Sequence, residues 1–144
     1  MNNLDFESWL SIIVSFGYIF YAAASFETDP KKKFYNRLLS NQTFAMHFIL
    51  SAFVCYYGYY RSVNGHYQEI FYVAPFLFLI FLRFFNWLTK YSTDRNILIA
   101  SKWDYKPDEY KWYIDGLFTI FIIALPIIIS GLAMNKIRFG EFFR

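Results

Sequence analysis

The sequence contains a single cysteine, Cys55, and only two histidines among its 144 residues. One cysteine cannot form a disulfide within the chain, and two histidines with one cysteine cannot complete a closed zinc site unless carboxylates help. His47 lies inside an apolar stretch, whereas His66 lies in the polar turn that follows it. A haem held by both histidines would need them at the same depth in the membrane, and these two lie at different depths. We therefore expect neither a metal nor any other cofactor.

Charged residues are also scarce, because Asp, Glu, Lys and Arg make up 17% of the chain against about 25% in globular domains. The net charge of +3 is small and dispersed, which excludes the basic face of a nucleic-acid-binding protein. The sequence has no GxSxG, P-loop or HExxH motif. These absences favour a protein that is not an enzyme.

Apolar residues are abundant instead, at 57% of the chain against roughly 45–50% in globular domains. Four apolar stretches have about the 20 residues that a helix needs to cross the hydrocarbon core. They cover residues 9–26, 43–60, 70–88 and 112–134. We therefore predict an all-α polytopic membrane protein with about four transmembrane helices, forming one membrane-embedded domain over residues 1–144.

The connectors between these stretches carry structure of their own. In the first connector (residues 27–42), Asp29-Pro30 is typical of a helix start, so residues 30–39 predict a short helix at the membrane interface. Its basic residues are expected to contact lipid headgroups: Lys31, Lys32, Lys33 and Arg37.

The second connector (residues 61–69) is a short turn. In the third (residues 89–111), the apolar residues 97–100 are predicted to dip into the interface. Pro75 and Pro126 predict kinks.

The distribution of basic residues predicts the orientation. The first and third connectors hold nine Lys and Arg: Lys31, Lys32, Lys33, Arg37, Lys90, Arg95, Lys102, Lys106 and Lys111. The other side holds four: Arg61, Lys136, Arg138 and Arg144. Both termini are therefore predicted on the non-cytoplasmic, or non-matrix, side of a bacterial or organellar inner membrane.

Three ionisable residues lie within the apolar stretches: His47, Arg83 and Asp115. Counted at 1.5 Å per residue, all three lie roughly 5–10 Å from the first- and third-connector side. We predict a polar cluster there that also includes Asn86, one helical turn after Arg83. An Arg83–Asp115 ion pair and a proton or ion path are two interpretations of this cluster. In a third interpretation the residues do not act together: Arg83 reaches the headgroups, Asp115 favours a helix start and His47 stays neutral.

Three functional hypotheses follow. The first is a non-catalytic accessory or assembly subunit that packs against membrane lipids and other membrane subunits. A variant is an immunity factor, since immunity proteins against pore-forming bacteriocins are similar in type, being small, basic and multi-spanning. The second is a small homo-oligomeric channel or transporter that uses the polar cluster. The third is an enzyme acting on lipid or quinone through residues of the third connector: Trp103, Asp104, Asp108 and Glu109.

Overall fold

The computed structural model describes residues 6–24 and 26–140, which form helices and, within those ranges, no strand. The helices are α1 (Phe6–Ala24), α2 (Phe34–Leu38), α3 (Asn41–Val63), α4 (Ala74–Thr93) and α5 (Leu117–Arg138). A 3₁₀ segment, Tyr67–Val73, leads directly into α4, and a π turn, Trp112–Gly116, leads into α5. The all-helical prediction is confirmed for the described part of the chain.

Three helical stretches are long and apolar enough to cross a membrane, namely Phe6–Ala24, Tyr67–Thr93 and Trp112–Arg138. This agrees with an integral membrane protein. With 23 residues α3 is also long enough, but His47 and the tyrosines of its last turns make it less apolar. Length and composition therefore give three candidate spans, and the predicted fourth is not confirmed.

A stripe of small residues on α1 faces the rest of the bundle. Ser8, Ser11 and Ser15 are buried at helical spacing, whereas most of the large side chains of α1, with the exception of the buried Ile19, are exposed or half-buried. The Ser11 hydroxyl donates to the Gln68 carbonyl at 3.0 Å, and the Ser15 hydroxyl donates to the Phe71 carbonyl at 2.7 Å. These bonds fasten α1 to the 3₁₀ segment through carbonyl groups that would otherwise be buried with fewer partners.

Pro75 and Pro126, the two prolines that predicted kinks, occupy different positions in their helices. Pro75 lies within the helical stretch Tyr67–Thr93, as predicted, but in the first turn of α4, where a missing N–H costs little. Because it cannot donate to the Phe71 carbonyl four residues earlier, the Ser15 hydroxyl is a useful second donor there. Pro126 does lie inside α5 and is buried.

The hydrophobic core includes residues from the third connector as well as from the helices. Ile97 and Ile99 are 0% and 1% exposed and belong to the same cluster as Phe78, Leu82 and Ile122. The prediction that residues 97–100 dip into the lipid interface is therefore wrong, because the protein itself buries this segment. Covering it with helices satisfies its apolar side chains but leaves its backbone N–H groups in need of partners.

Candidate functional site

Three consecutive backbone amides of the buried segment 97–99 each donate to a side chain from a different part of the chain. The three bonds run from Ile97 to Asn86 Oδ1, from Leu98 to Asp115 Oδ1 and from Ile99 to Tyr35 Oη, each at 3.0 Å. All three accepting residues are buried. A buried non-helical segment is tolerated only when its backbone groups are hydrogen-bonded in this way.

Asp115 is the centre of this arrangement. Its carboxylate is fully buried and accepts two bonds from the Arg95 guanidinium, Nη1 to Oδ1 at 3.0 Å and Nη2 to Oδ2 at 2.6 Å. The Lys111 amide donates to Oδ2 at 2.8 Å, in addition to the bond from Leu98. Four donors saturate the carboxylate, and its bonds raise the pKa of the Arg95 guanidinium above its ordinary value.

The Arg83–Asp115 ion pair, one of the three interpretations of the polar cluster, does not form in the structure. The Arg83 guanidinium donates to the Ser40 carbonyl at 3.3 Å and to Asn41 Oδ1 at 3.1 Å, and it stacks 4.3 Å over the Phe44 ring. It therefore holds the start of α3. Asp115 is taken by Arg95 because the third connector folds back against the helix ends.

The four residues of the predicted cluster thus fall into separate groups. The segment 97–98 brings Asn86 and Asp115 to one place. The Arg83 guanidinium reaches from α4 to the start of α3, and His47 Nδ1 lies 3.1 Å from the Tyr18 hydroxyl.

Lys33 is likewise not placed for lipid headgroups. Its side chain is 0% exposed, and Nζ lies 2.5 Å from Asp104 Oδ2 and 3.3 Å from the Ala23 carbonyl. Burial alone acts to raise the pKa of the Asp104 carboxyl, but bonds from Lys33 and the Ser101 amide outweigh it and lower that pKa. Lys32 and Arg37 are exposed and remain available to headgroups.

The first and third connectors contact each other at several points. Besides Lys33–Asp104, Lys31 Nζ lies 3.1 Å from Glu109 Oε1, and the Tyr105 amide donates to the Thr28 carbonyl at 3.1 Å. Two of the acids considered for an enzyme, Asp104 and Glu109, are engaged in these ion pairs.

A second buried carboxylate lies at the second connector. Glu69 is fully buried, and Arg61 donates to it twice, from Nε and from Nη2, each at 3.1 Å. His66 Nδ1 lies 3.5 Å from Glu69, and Glu7 of α1 pairs with Arg61 from the other side. This pair was not predicted from the sequence, although opposite charges at the two ends of the short turn were a signal for it.

An apolar groove between α1 and α3 contains His47. It has a volume of about 190 Å³ and is lined by Val14, Leu50 and Val54, together with Tyr18, His47, Ser51 and Pro75. The Phe34 ring of α2 packs edge-on against the His47 ring, with 5.3 Å between centroids. Among the described lining residues, the polar side-chain groups are thus the hydroxyls of Tyr18 and Ser51 and the His47 imidazole.

No family model matches the chain, and comparisons with curated proteins and with solved structures give no significant match. Its function must therefore be inferred from its own contacts. Within the described residues, no group of three or more His, Cys, Asp and Glu side chains could hold a metal ion. In the same ranges, the buried side-chain polar atoms without a hydrogen bond are Arg83 Nε and Ser130 Oγ.

Proposed function

We propose that this chain is a non-catalytic integral membrane component, an accessory or assembly subunit of a larger membrane complex. The observation that supports this best is that two buried carboxylates are hydrogen-bonded by donors of the same chain. Asp115 accepts four bonds, two from Arg95 and two from backbone amides, and Glu69 accepts two bonds from Arg61. Carboxylates bound in this way stabilise a connector and a helix junction, and the Asp115 carboxylate, with its four bonds, has no free lone pair for proton transfer or ion binding.

We further propose that all four long helices cross the membrane, as one membrane-embedded domain. The contacts between the first and third connectors support four crossings, because two connectors that touch must lie on the same side. If α3 did not cross, α4 alone would separate these connectors, and the contacts could not form. The excess of basic residues in them favours the cytoplasmic or matrix side for both.

The outer surface of α3 is the face that we assign to a protein partner. Phe53 and Tyr56 are each 71% exposed, and Met46 and Ile49 are exposed on the same helix. Since α3 is the least apolar of the four long helices, a protein neighbour offers its tyrosine hydroxyls hydrogen-bond partners that lipid tails lack. An immunity factor is the variant of this proposal in which the partner is a membrane toxin.

Cross-linking in the native membrane tests the proposal. A photo-reactive amino acid in place of Phe53 is expected to give a cross-link to one larger protein, which also co-purifies stoichiometrically with the tagged chain in a gentle detergent. The matched control is the same substitution at Leu132 of α5, which is 59% exposed on another helix. Cross-links from Phe53 only to other copies of this chain would contradict the proposal and favour the homo-oligomeric channel or transporter.

A further inference from the structure

A pocket of about 250 Å³ lies beside α2, at the connector end of the bundle. Three aromatic side chains and three charged ones line it: Tyr21, Phe26, Phe34, Glu27, Lys32 and Arg37. Two positive charges, one negative charge and several ring faces are thus gathered within a volume the size of a lipid headgroup. This mixture differs from the purely basic surface that the sequence predicted for the first connector.

The charged groups of this pocket are open to a ligand. Arg37 is exposed and has no ion pair or side-chain hydrogen bond to any other described residue. Lys32 Nζ lies 3.9 Å from Asp29 Oδ2, which is at the outer limit of an ion pair. Glu27 accepts one bond through Oε1, from the Asp29 amide at 3.2 Å, and its other oxygen accepts none from the residues that the structure describes. Lys32 and Arg37 suit a phosphate, and Glu27 suits an ammonium group.

The apolar groove described above lies next to this pocket along α1. Val14 and Tyr18 line the groove and Tyr21 lines the pocket, at a spacing of four and three residues along one face of α1. The Phe34 ring lies between the pocket and the groove, because its centroid is 5.3 Å from the ring centroids of both Tyr21 and His47. A polar pocket and an apolar groove thus follow one another along α1, in the order of headgroup and acyl chain in a phospholipid.

The Tyr18–His47 pair lies where the two parts meet. The Tyr18 hydroxyl is 3.1 Å from His47 Nδ1, and when Nδ1 accepts this proton, Nε2 carries the ring proton and can donate. A donor at this level fits the ester carbonyls of a glycerolipid, which lie between headgroup and acyl chain.

We propose that this pocket and groove form a binding site for one aminophospholipid molecule. Its phosphate binds Lys32 and Arg37, and its primary ammonium group binds Glu27 and the neighbouring aromatic faces. One acyl chain occupies the groove between α1 and α3. An anionic lipid without an amine would leave Glu27 facing a negative headgroup, and a quinone would leave both cations without a counter-charge. This inference depends on the chain lying in a membrane and not on its role as a subunit.

Native mass spectrometry of the full chain tests the site. The protein, purified in mild detergent, is titrated with an equimolar mixture of phosphatidylethanolamine and phosphatidylglycerol. We expect one tightly retained phosphatidylethanolamine per chain. Arg37→Gln should weaken retention about tenfold, the loss of one charge-assisted bond. Lys90→Gln, an exposed lysine outside the pocket, should have no effect.

Two further variants separate this site from general lipid adhesion. Glu27→Gln should remove the preference for phosphatidylethanolamine over phosphatidylglycerol while keeping retention of phosphate. Val54→Phe should obstruct the groove and lower retention several-fold, whereas Ile49→Phe, on the exposed face of the same helix, should not. The proposal is overturned if phosphatidylglycerol is preferred, if no lipid is retained, or if Arg37→Gln behaves like Lys90→Gln. Circular dichroism of each variant verifies that its helices are intact.

Discussion

Asp115→Asn is expected to lower the free energy of unfolding by about 3–5 kcal/mol, the usual cost of removing one partner of a buried ion pair. The substitution leaves the Arg95 guanidinium without its counter-charge. It also puts an amide NH₂ where either Oδ1 or Oδ2 now accepts, so that donors face donors. The bound segment 97–99 should loosen as a result.

Thermal unfolding in detergent measures this effect. Asp108→Asn, an exposed acid of the same connector, is the matched control and should leave Tm unchanged. A double-mutant cycle identifies the partner: Asp115→Asn should couple strongly with Arg95→Gln and weakly with Arg83→Gln. An unchanged Tm for Asp115→Asn, or stronger coupling with Arg83, would show that the bidentate pair is not the one that stabilises the protein.

Gly58→Ala is expected to destabilise the protein by about 1–3 kcal/mol or more, the range for an extra methyl group in a tightly packed site. A Cβ atom at Gly58 would lie 2.5 Å from the Glu69 carbonyl oxygen and 2.7 Å from Tyr72 Cβ. Neither neighbour is the flexible end of a side chain, so α3 and the 3₁₀ segment must move apart. That movement would also pull Arg61 away from Glu69.

The same substitution at Gly17 provides the control, because nothing lies within 4 Å of a Cβ atom there. Gly17→Ala should leave stability unchanged or raise it slightly, as alanine has the better helix propensity. The two variants are compared by thermal unfolding in one detergent. Equal Tm values for Gly17→Ala and Gly58→Ala would mean that α3 and the 3₁₀ segment are not in close backbone contact.

The positions of the long helices could be predicted because a long apolar run has few other stable conformations. Every long helix overlaps one of the apolar stretches, and the polar residues within them marked Asp115 and Asn86 as buried groups with a role. The status of α3 could not be settled in this way, since its tyrosines suit both an interfacial helix and one that packs against protein.

The partners of these polar groups could not be predicted, because they depend on how a connector folds. Arg95 follows α4 by a few residues, and only the return of the third connector onto the bundle brings it to Asp115. Lys33 was misplaced for a related reason. The predicted interfacial helix began at residue 30, but α2 begins at Phe34, so Lys33 precedes the helix and does not share a face with Arg37.

Cysteine labelling tests the central claim, that four helices cross the membrane with both termini on the non-cytoplasmic side. In a Cys55→Ala background, single cysteines replace Lys31, Asn64 and Lys102, which are one exposed residue in each connector. A membrane-impermeant maleimide added to intact cells is expected to label the cysteine at position 64. The cysteines at positions 31 and 102 should react only after permeabilisation. Labelling that places positions 31 and 102 on opposite sides would contradict the account, because α3 would then not cross and the connectors could not meet.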